Sequence, residues 1–292
     1  MRQGASHLVF DQELTPSQSR AIGDIVELKV LDRTQLILDI FAQRAQTREG
    51  KLQVELAQLK YRLPRLIQQN RSFSRLAGGI GGRGPGETQL EVDRRRIRDR
   101  ISRLEKDLLS VSQKRKQQRS QRQKKKIPTV SIVGYTNVGK STLLNTLTRS
   151  DVVAQDRLFA TLDPSSRRLK FPRDMEVIIT DTVGFIENLP KDLLVAFKAT
   201  LEELATADLL LHVVDISDNE YLHHIQSVET ILEQLNLSHI PAIYIYNKID
   251  QISDFYMENS VSLIPSFYVS AIDRKTLSPL TQYIQRLFDP NS

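Results

Sequence analysis

The chain has 292 residues, 41 Lys+Arg against 35 Asp+Glu, a formal net charge of +6 and no Cys. That length suggests about two domains, and the missing thiols exclude a disulfide scaffold, a cysteine nucleophile and every Cys-ligated zinc or iron–sulfur site. No apolar run approaches the ~20 residues of a membrane span, and Met1 leads into no apolar signal core, so a cytoplasmic protein is expected.

Residues 1–50 read as a partial α/β subdomain. His7–Phe10 is strand-like, and Thr15-Pro16 resembles an N-cap followed by Pro at the first helical position. Val26–Leu31 reads as a second strand and Gln35–Ala45 as a helix. Two strands are too few for an independent sheet. The piece therefore leans on the rest of the chain or is the tail of a longer domain.

Residues 51–126 carry two leucine-type seams. Leu52, Leu56, Leu59, Leu63 and Leu66 recur at intervals of 4, 3, 4 and 3, and so do Ile97, Ile101, Leu104, Leu108 and Val111. Such spacing predicts an antiparallel helical hairpin, with Pro64 ending or kinking the first helix. Its tip is 77–86, where Gly78, Gly79, Gly81, Gly82, Gly84 and Gly86 make up six of the chain's 12 glycines. From Glu87 to Lys126 there are 15 basic and 6 acidic residues, a net of +9, so the other 252 residues sum to −3. The second helix is expected to run on as a basic rod toward Lys126. Such a rod is a solvated face or a nucleic-acid-binding arm, and Arg94, Arg95 and Arg96 can also pair with Glu91, Asp93 and Asp99.

From Thr129 short apolar strands alternate with helices. The strands are Thr129–Val133, Leu169–Phe171, Val177–Thr180, Leu209–Val214, Ala242–Tyr246 and Phe267–Val269. The helices are Ser141–Arg149, Lys191–Leu204, Tyr221–Leu235 and Leu277–Phe288. That alternation predicts a doubly wound, mainly parallel sheet over 127–292.

Four motifs on that frame carry chemistry. Gly134-Tyr135-Thr136-Asn137-Val138-Gly139-Lys140-Ser141, followed by Thr142, sits between a strand and a helix, the setting of a phosphate-binding loop. Its N–H groups and the helix N-terminus suit a phosphate. Lys140 is expected to reach the β- and γ-phosphates and Ser141 to ligate Mg²⁺. Asp181-Thr182-Val183-Gly184 closes a strand. There Asp181 can hold Mg²⁺ through water and the Gly184 N–H can meet the γ-phosphate. In Asn247-Lys248-Ile249-Asp250 the carboxylate can accept from the guanine ring N–H and exocyclic amine, an amine adenine lacks. Ser270-Ala271 follows the last strand, where a backbone N–H can meet the guanine oxygen. In the stretch Leu158 to Pro164, with Phe159 and Ala160, Thr161 is the preferred hydroxyl for sensing Mg²⁺ and γ-phosphate. The alternative is that it caps a turn before Pro164, and Thr148, Ser150 and Ser165 are weaker candidates.

Together with Leu36-Ile37-Leu38-Asp39-Ile40-Phe41-Ala42, the run from Glu49 to Ala57, Gly78-Gly79-Ile80-Gly81 and the run Arg83 to Glu91, these motifs make the chain resemble the HflX family of ribosome-associated GTPases. The resemblance covers nearly the whole chain. It implies a Ras-like G domain preceded by an α/β subdomain and a helical hairpin. It further implies binding to the large ribosomal subunit and its ribosomal RNA, splitting of stalled ribosomes, and GTP/GDP with Mg²⁺ as cofactors. The family's N-terminal subdomain has more strand–helix units than the stretch before His7 supplies. The expected metal ligands are Ser141, Thr161 and Asp181, and the groups acting on the reacting phosphate are Lys140, Thr161, Gly184 and Asn137. A monomer is expected, in the cytoplasm or on membrane-bound ribosomes.

Two residues bear on mechanism. Phe185 stands after Gly184, where many relatives of Ras place a water-orienting Gln, so slow intrinsic hydrolysis is expected. Asn137 either helps hold K⁺ between the phosphates or is a turn residue tolerant of unusual φ. His223-His224 and the lone His7, His212 and His239 show no metal-ligand spacing. Two other functions compete with ribosome splitting: a GTPase of RNA modification or ribosome assembly, and a ribosome-binding module with negligible turnover.

Overall fold

In a computed structural model of the chain, the structure describes residues 4–69, 89–124, 127–149, 165–172, 175–182, 184–187, 201, 204–252 and 265–289. They fall into two compact units, one up to Lys116 and one from Gln117 onward.

The first unit opens with β1 (His7–Phe10), α1 (Pro16–Val26) and β2 (Lys29–Asp32). The strands pair parallel from His7↔Lys29 to Phe10↔Asp32, with α1 as the crossover. The Thr15 cap is as expected: its hydroxyl accepts from the Gln18 N–H, and the Gln18 side chain accepts from the Thr15 N–H. The second strand starts later than expected. Ile25 and Val26 are β-branched but complete α1, whose end is capped by Glu27 at φ 53°.

Next come α2 (Arg33–Arg44) and α3 (Arg48–Gln69). One buried polar knot ties them to the small sheet. Asp32 caps α2 by accepting from Gln35 N–H at 2.8 Å, and its other oxygen accepts from Leu14 N–H at 3.1 Å and Arg65 Nη2 at 3.0 Å. Arg65 also donates to the Leu14 carbonyl at 2.7 Å and lies 3.4 Å over the Tyr61 ring. The first helix does not end at Pro64 but runs on to Gln69. Arg65, one residue on, is held from three sides and donates back to the Tyr61 carbonyl at 3.1 Å, contacts that offset the bond Pro64 cannot make.

The long helix α4 (Gln89–Lys124) is tied to α3 by ion pairs. Leu104 is fully buried, and Arg100 grips Glu55 with two bonds of 2.7 and 2.8 Å while Lys60 meets Glu105 at 2.8 Å. Arg96 pairs with Asp93 on its own helix at 3.7 Å. The Gly-rich tip lies outside the described residues.

The second unit is a six-stranded sheet in the order β4-β5-β3-β6-β7-β8. Its strands are β3 (Thr129–Gly134), β4 (Ser165–Lys170), β5 (Glu176–Asp181), β6 (Leu209–Asp215), β7 (Ala242–Asn247) and β8 (Ser266–Tyr268). All neighbours are parallel except β4, an antiparallel edge. That edge starts four residues before the expected Leu169, because Ser165–Arg168 are polar and show no apolar alternation. The helices are α5 (Lys140–Thr148), α6 (Tyr221–Gln234) and α7 (Ser278–Phe288). Most of the expected helix 191–204 lies outside the described residues. β3, β5 and β6 are buried on both faces, so their central residues are mostly apolar without a two-residue alternation. Chain order reverses between β3 and β6, and their C-terminal ends form the crevice where doubly wound sheets bind ligands. No described helix is long and apolar enough to cross a membrane.

Candidate nucleotide site

The loop from β3 into α5 stands in that crevice. Gly139 is the N-cap of α5 at φ 94°, and a Cβ there collides with the Asn247 side chain. Only glycine meets both demands. The first-turn N–H groups of α5 have no intrahelical acceptor and suit an anion. Lys140 is buried, with Nζ donating to the Tyr135 carbonyl at 2.6 Å. Burial pulls its pKa down to about 8, against the opposing pull of Asp181.

The Ser141 hydroxyl donates to Asp181 Oδ2 at 2.7 Å, so a hydroxyl and a carboxylate converge beside the loop. Two hard oxygen donors fit Mg²⁺. Thr182 donates to the Ile132 carbonyl at 2.7 Å and is structural. Thr136 Oγ1 is buried without a hydrogen-bond partner at the same loop. A Cβ on Gly184 would come within 2.9 Å of Lys140 Nζ and 3.1 Å of Thr136 Cα, so that backbone lies against the phosphate loop.

A pocket of about 110 Å³ adjoins, lined by Gly139, Thr142, Asn247, Lys248, Asp250, Gln251, Ser270, Ala271 and Ile272. Asn247 is its keystone. Its amide donates to the Val138 carbonyl at 2.7 Å, and its oxygen accepts from Ala271 N–H at 2.8 Å. One side chain thus joins three of the four motifs. The Ser270 N–H is committed to Thr276 Oγ1 at 3.0 Å, so in this structure the backbone N–H groups of Ser270 and Ala271, one of which was expected to meet the guanine oxygen, both serve the protein itself. Asp250 is exposed at the pocket rim, available to a base edge.

Sequence reasoning missed Asp215 and Thr276. Asp215 ends β6 in register with Asn247 and holds Lys248 Nζ at 2.5 Å, fixing the lysine stem beside the pocket. The sequence shows only a carboxylate ending a strand at Asp215, whose partner Lys248 the β6–β7 register supplies; Thr276 carried no signal.

Phe159, Ala160, Thr161, Val183 and Ser150 lie outside the described residues. Thr148 spends its hydroxyl on the Leu144 carbonyl at 2.7 Å, and Ser165 belongs to β4. Asn137 has φ 64°, the backbone of a left-handed turn residue. Phe185 is 1% exposed, its ring buried in the protein. His212 is buried beside Lys140, and burial first, then that charge, lowers its pKa to about 4. Among the described residues no cluster of His, Asp or Glu suits a metal ion.

A doubly wound sheet with a phosphate loop, a Ser–Asp pair and a carboxylate-rimmed base pocket defines a Ras-like P-loop GTPase fold. Three family models match in succession: "GTP-binding GTPase N-terminal" over residues 1–42, "GTP-binding GTPase Middle Region" over 44–122 and "50S ribosome-binding GTPase" over 129–248. GTPase HflX of Caldanaerobacter subterraneus is 51% identical over 284 residues, 97% of this chain and 65% of that protein. That of Escherichia coli is 52% identical over 252 residues, 86% of this chain and 59% of that protein. That of Lacrimispora saccharolytica is 47% identical over 283 residues, covering 97% and 67%. Among solved structures, a GTP-binding protein of Sulfolobus solfataricus in complex with GDP aligns at TM-score 0.55 and 28% identity, over 98% of this chain and 82% of that one. The chain belongs to the HflX family of GTPases, and it spans 65% of the length of the Caldanaerobacter relative.

Proposed function

We propose that this chain is a Mg²⁺-dependent GTPase that binds the large ribosomal subunit and dissociates or rescues stalled ribosomes. The observation that carries the nucleotide part is the Asn247 junction, which binds the phosphate loop and the Ser270-Ala271 turn into one wall of a pocket rimmed by Asp250. Asp250 accepts from the guanine ring N–H and amine, and Lys248, pinned by Asp215, covers the base. The α5 N-terminus and Lys140 hold the phosphates. Ser141 and Asp181, with Thr161, would hold Mg²⁺, which offsets charge on the β- and γ-phosphate oxygens when bound. The Gly184 N–H steadies the γ-phosphate while water attacks phosphorus and GDP leaves. Asn137 is the candidate for K⁺.

The ribosomal part is supported by the name of the family model over 129–248, by the basic run of α4 and by the Gly-rich stretch, which has few side chains to hold RNA away. In this reading residues 1–50, 51–126 and 127–292 are a partial N-terminal subdomain, an RNA-reaching hairpin and the G domain of a cytoplasmic monomer. The buried Phe185 favours a second reading, a ribosome-binding module with negligible turnover.

GTP turnover with and without purified large subunits separates them. Stimulation by subunits supports the enzyme, and equal, negligible rates support the module. Replacing Gly78–Gly86 by a short neutral turn is expected to leave GDP affinity intact and abolish splitting. Splitting at the wild-type rate would refute the role of the tip. Neutralising Lys124, Lys125 and Lys126 is expected to weaken subunit binding and flatten its salt dependence by up to ~3 counterions' worth.

A further inference from the structure

Tyr135 is the second residue of the phosphate loop, where only its backbone has a role with phosphate. Its side chain makes two contacts nothing so far explains. The ring lies flat on that of His224, with centroids 4.0 Å apart and planes 15° apart. Its hydroxyl oxygen accepts the Glu187 N–H at 3.3 Å. His224 belongs to α6, and Glu187 follows Gly184 by three residues.

The same short segment is held twice more. Its backbone bridges to the phosphate loop: Thr136 N–H donates to the Phe185 carbonyl at 2.8 Å and Phe185 N–H to the Gly134 carbonyl at 3.1 Å. Its Glu187 carboxylate meets His223 Nε2 at 3.1 Å. His224 is anchored in turn, its Nδ1 lying 3.7 Å from Asp218 Oδ2. A pair of adjacent histidines on one helix therefore grips the phosphate loop with one ring and the segment after Gly184 with the other.

Resting on the reading in which the Gly184 N–H meets the γ-phosphate, we propose that His224 is a positioning residue for hydrolysis. Its stack on Tyr135 fixes the hydroxyl that holds the Glu187 amide, and this limits where Gly184, three residues back, can stand. Phe185 supplies no water-orienting group, so the placement of Gly184 carries more of the chemical step here than it does beside a glutamine. Neither ring touches the base pocket or the Ser141–Asp181 pair, so nucleotide affinity is independent of the stack. The segment moves when γ-phosphate draws Gly184 in, and α6 feels that movement through both histidines.

The test compares the full chain with His224→Ala, His224→Phe, which keeps a ring on Tyr135, and Tyr135→Phe, which keeps the stack and loses the hydroxyl. A ring pair contributes about 0.5–1.5 kcal/mol, so His224→Ala is expected to lower kcat for GTP about 2- to 10-fold. KM and GDP affinity stay as in the wild type, and His224→Phe recovers the rate. Tyr135→Phe lowers kcat while its affinity holds. Independently of turnover, the His224 imidazole NMR signal is expected to shift when a non-hydrolysable GTP analogue replaces GDP. An unchanged kcat in His224→Ala, a parallel loss of GDP affinity, a folded His224→Phe as slow as the alanine variant, or an unmoved signal overturns the proposal. Failure of the underlying reading looks different: the wild-type Gly184 amide NMR signal is the same with GDP as with the non-hydrolysable GTP analogue, and the proposal falls with it.

Discussion

In the unit from Gln117 onward, three central strands are buried on both faces and the loops at their ends meet through Asn247. In the unit up to Lys116, the sheet has two strands, α1 buries no residue and Ile25 is 80% exposed. Its apolar burial lies in the helices, at Ile37, Leu38, Phe41, Val54, Leu56 and Leu104, and its small sheet is tied to them by the knot of Asp32, Arg65, Leu14 and Tyr61. The difference teaches what each unit's chemistry demands. A site built largely from backbone amides needs its loops held by a continuous apolar frame, because a small misplacement of an N–H forfeits the bond. A two-stranded sheet whose crossover helix buries no residue is held to its neighbours by polar bonds between residues distant in sequence, and one of those residues, Asp32, is charged and buried.

The contrast breaks most visibly at Asp250. Asp250→Asn puts an amide donor where a carboxylate accepted, so GTP affinity is expected to fall at least ~100-fold with xanthine nucleotides preferred, since a mismatched polar group in a base pocket discriminates strongly. Titration with labelled GTP and XTP decides it, and equal GTP affinity in both proteins means the base lies elsewhere. The first unit should not respond.

Arg65→Ala attacks the other side. It leaves Asp32, 3% exposed, without its cation, at a cost of about 2–3 kcal/mol once solvent access to Arg65 is allowed for. Chemical denaturation is expected to show the first unit melting earlier while GDP affinity is unchanged. A loss of GDP affinity would mean the two units are not separate in this respect.

A smaller effect follows from the buried amine. With the Lys140 pKa at about 8, the empty site is uncharged there above that pH and must take up a proton to meet phosphate. Nucleotide affinity should therefore fall as pH rises past about 8, by at most about tenfold per unit. Between about 8 and the ordinary 10.5, the unfolded chain holds more protons at this residue than the folded one. The empty C-terminal unit thus gains stability with rising pH over that window. Calorimetry in buffers of different ionisation heat reads the proton uptake, and none at pH 9 would contradict the assignment.

The smallest expected change concerns Asn137. If it helps hold K⁺, hydrolysis rises when K⁺ replaces Na⁺ at constant ionic strength, and Asn137→Ala removes the difference. Equal rates leave its φ of 64° as its whole role.

Local pattern determined much of this protein. The Thr15-Pro16 cap, the leucine seams, the alternation after Thr129 and the four nucleotide motifs are all periodicities or short contiguous strings. Each acts within a few residues, so each is legible without knowing what packs against it. Tertiary structure decided the rest, because those contacts join residues far apart in the chain. Pro64 stays inside a helix because Arg65 is anchored to Leu14 and Asp32, 51 and 33 residues away. Val26 joins a helix although its type suits a strand. Asp215 matters because β6 and β7 run in register and bring it to Lys248. Tyr135 acquires a second role only because the fold lays His224 on its ring. For Pro64, Asp215 and Tyr135 the deciding energy comes from a bond or ring contact across elements, and no short window of sequence contains both of its partners.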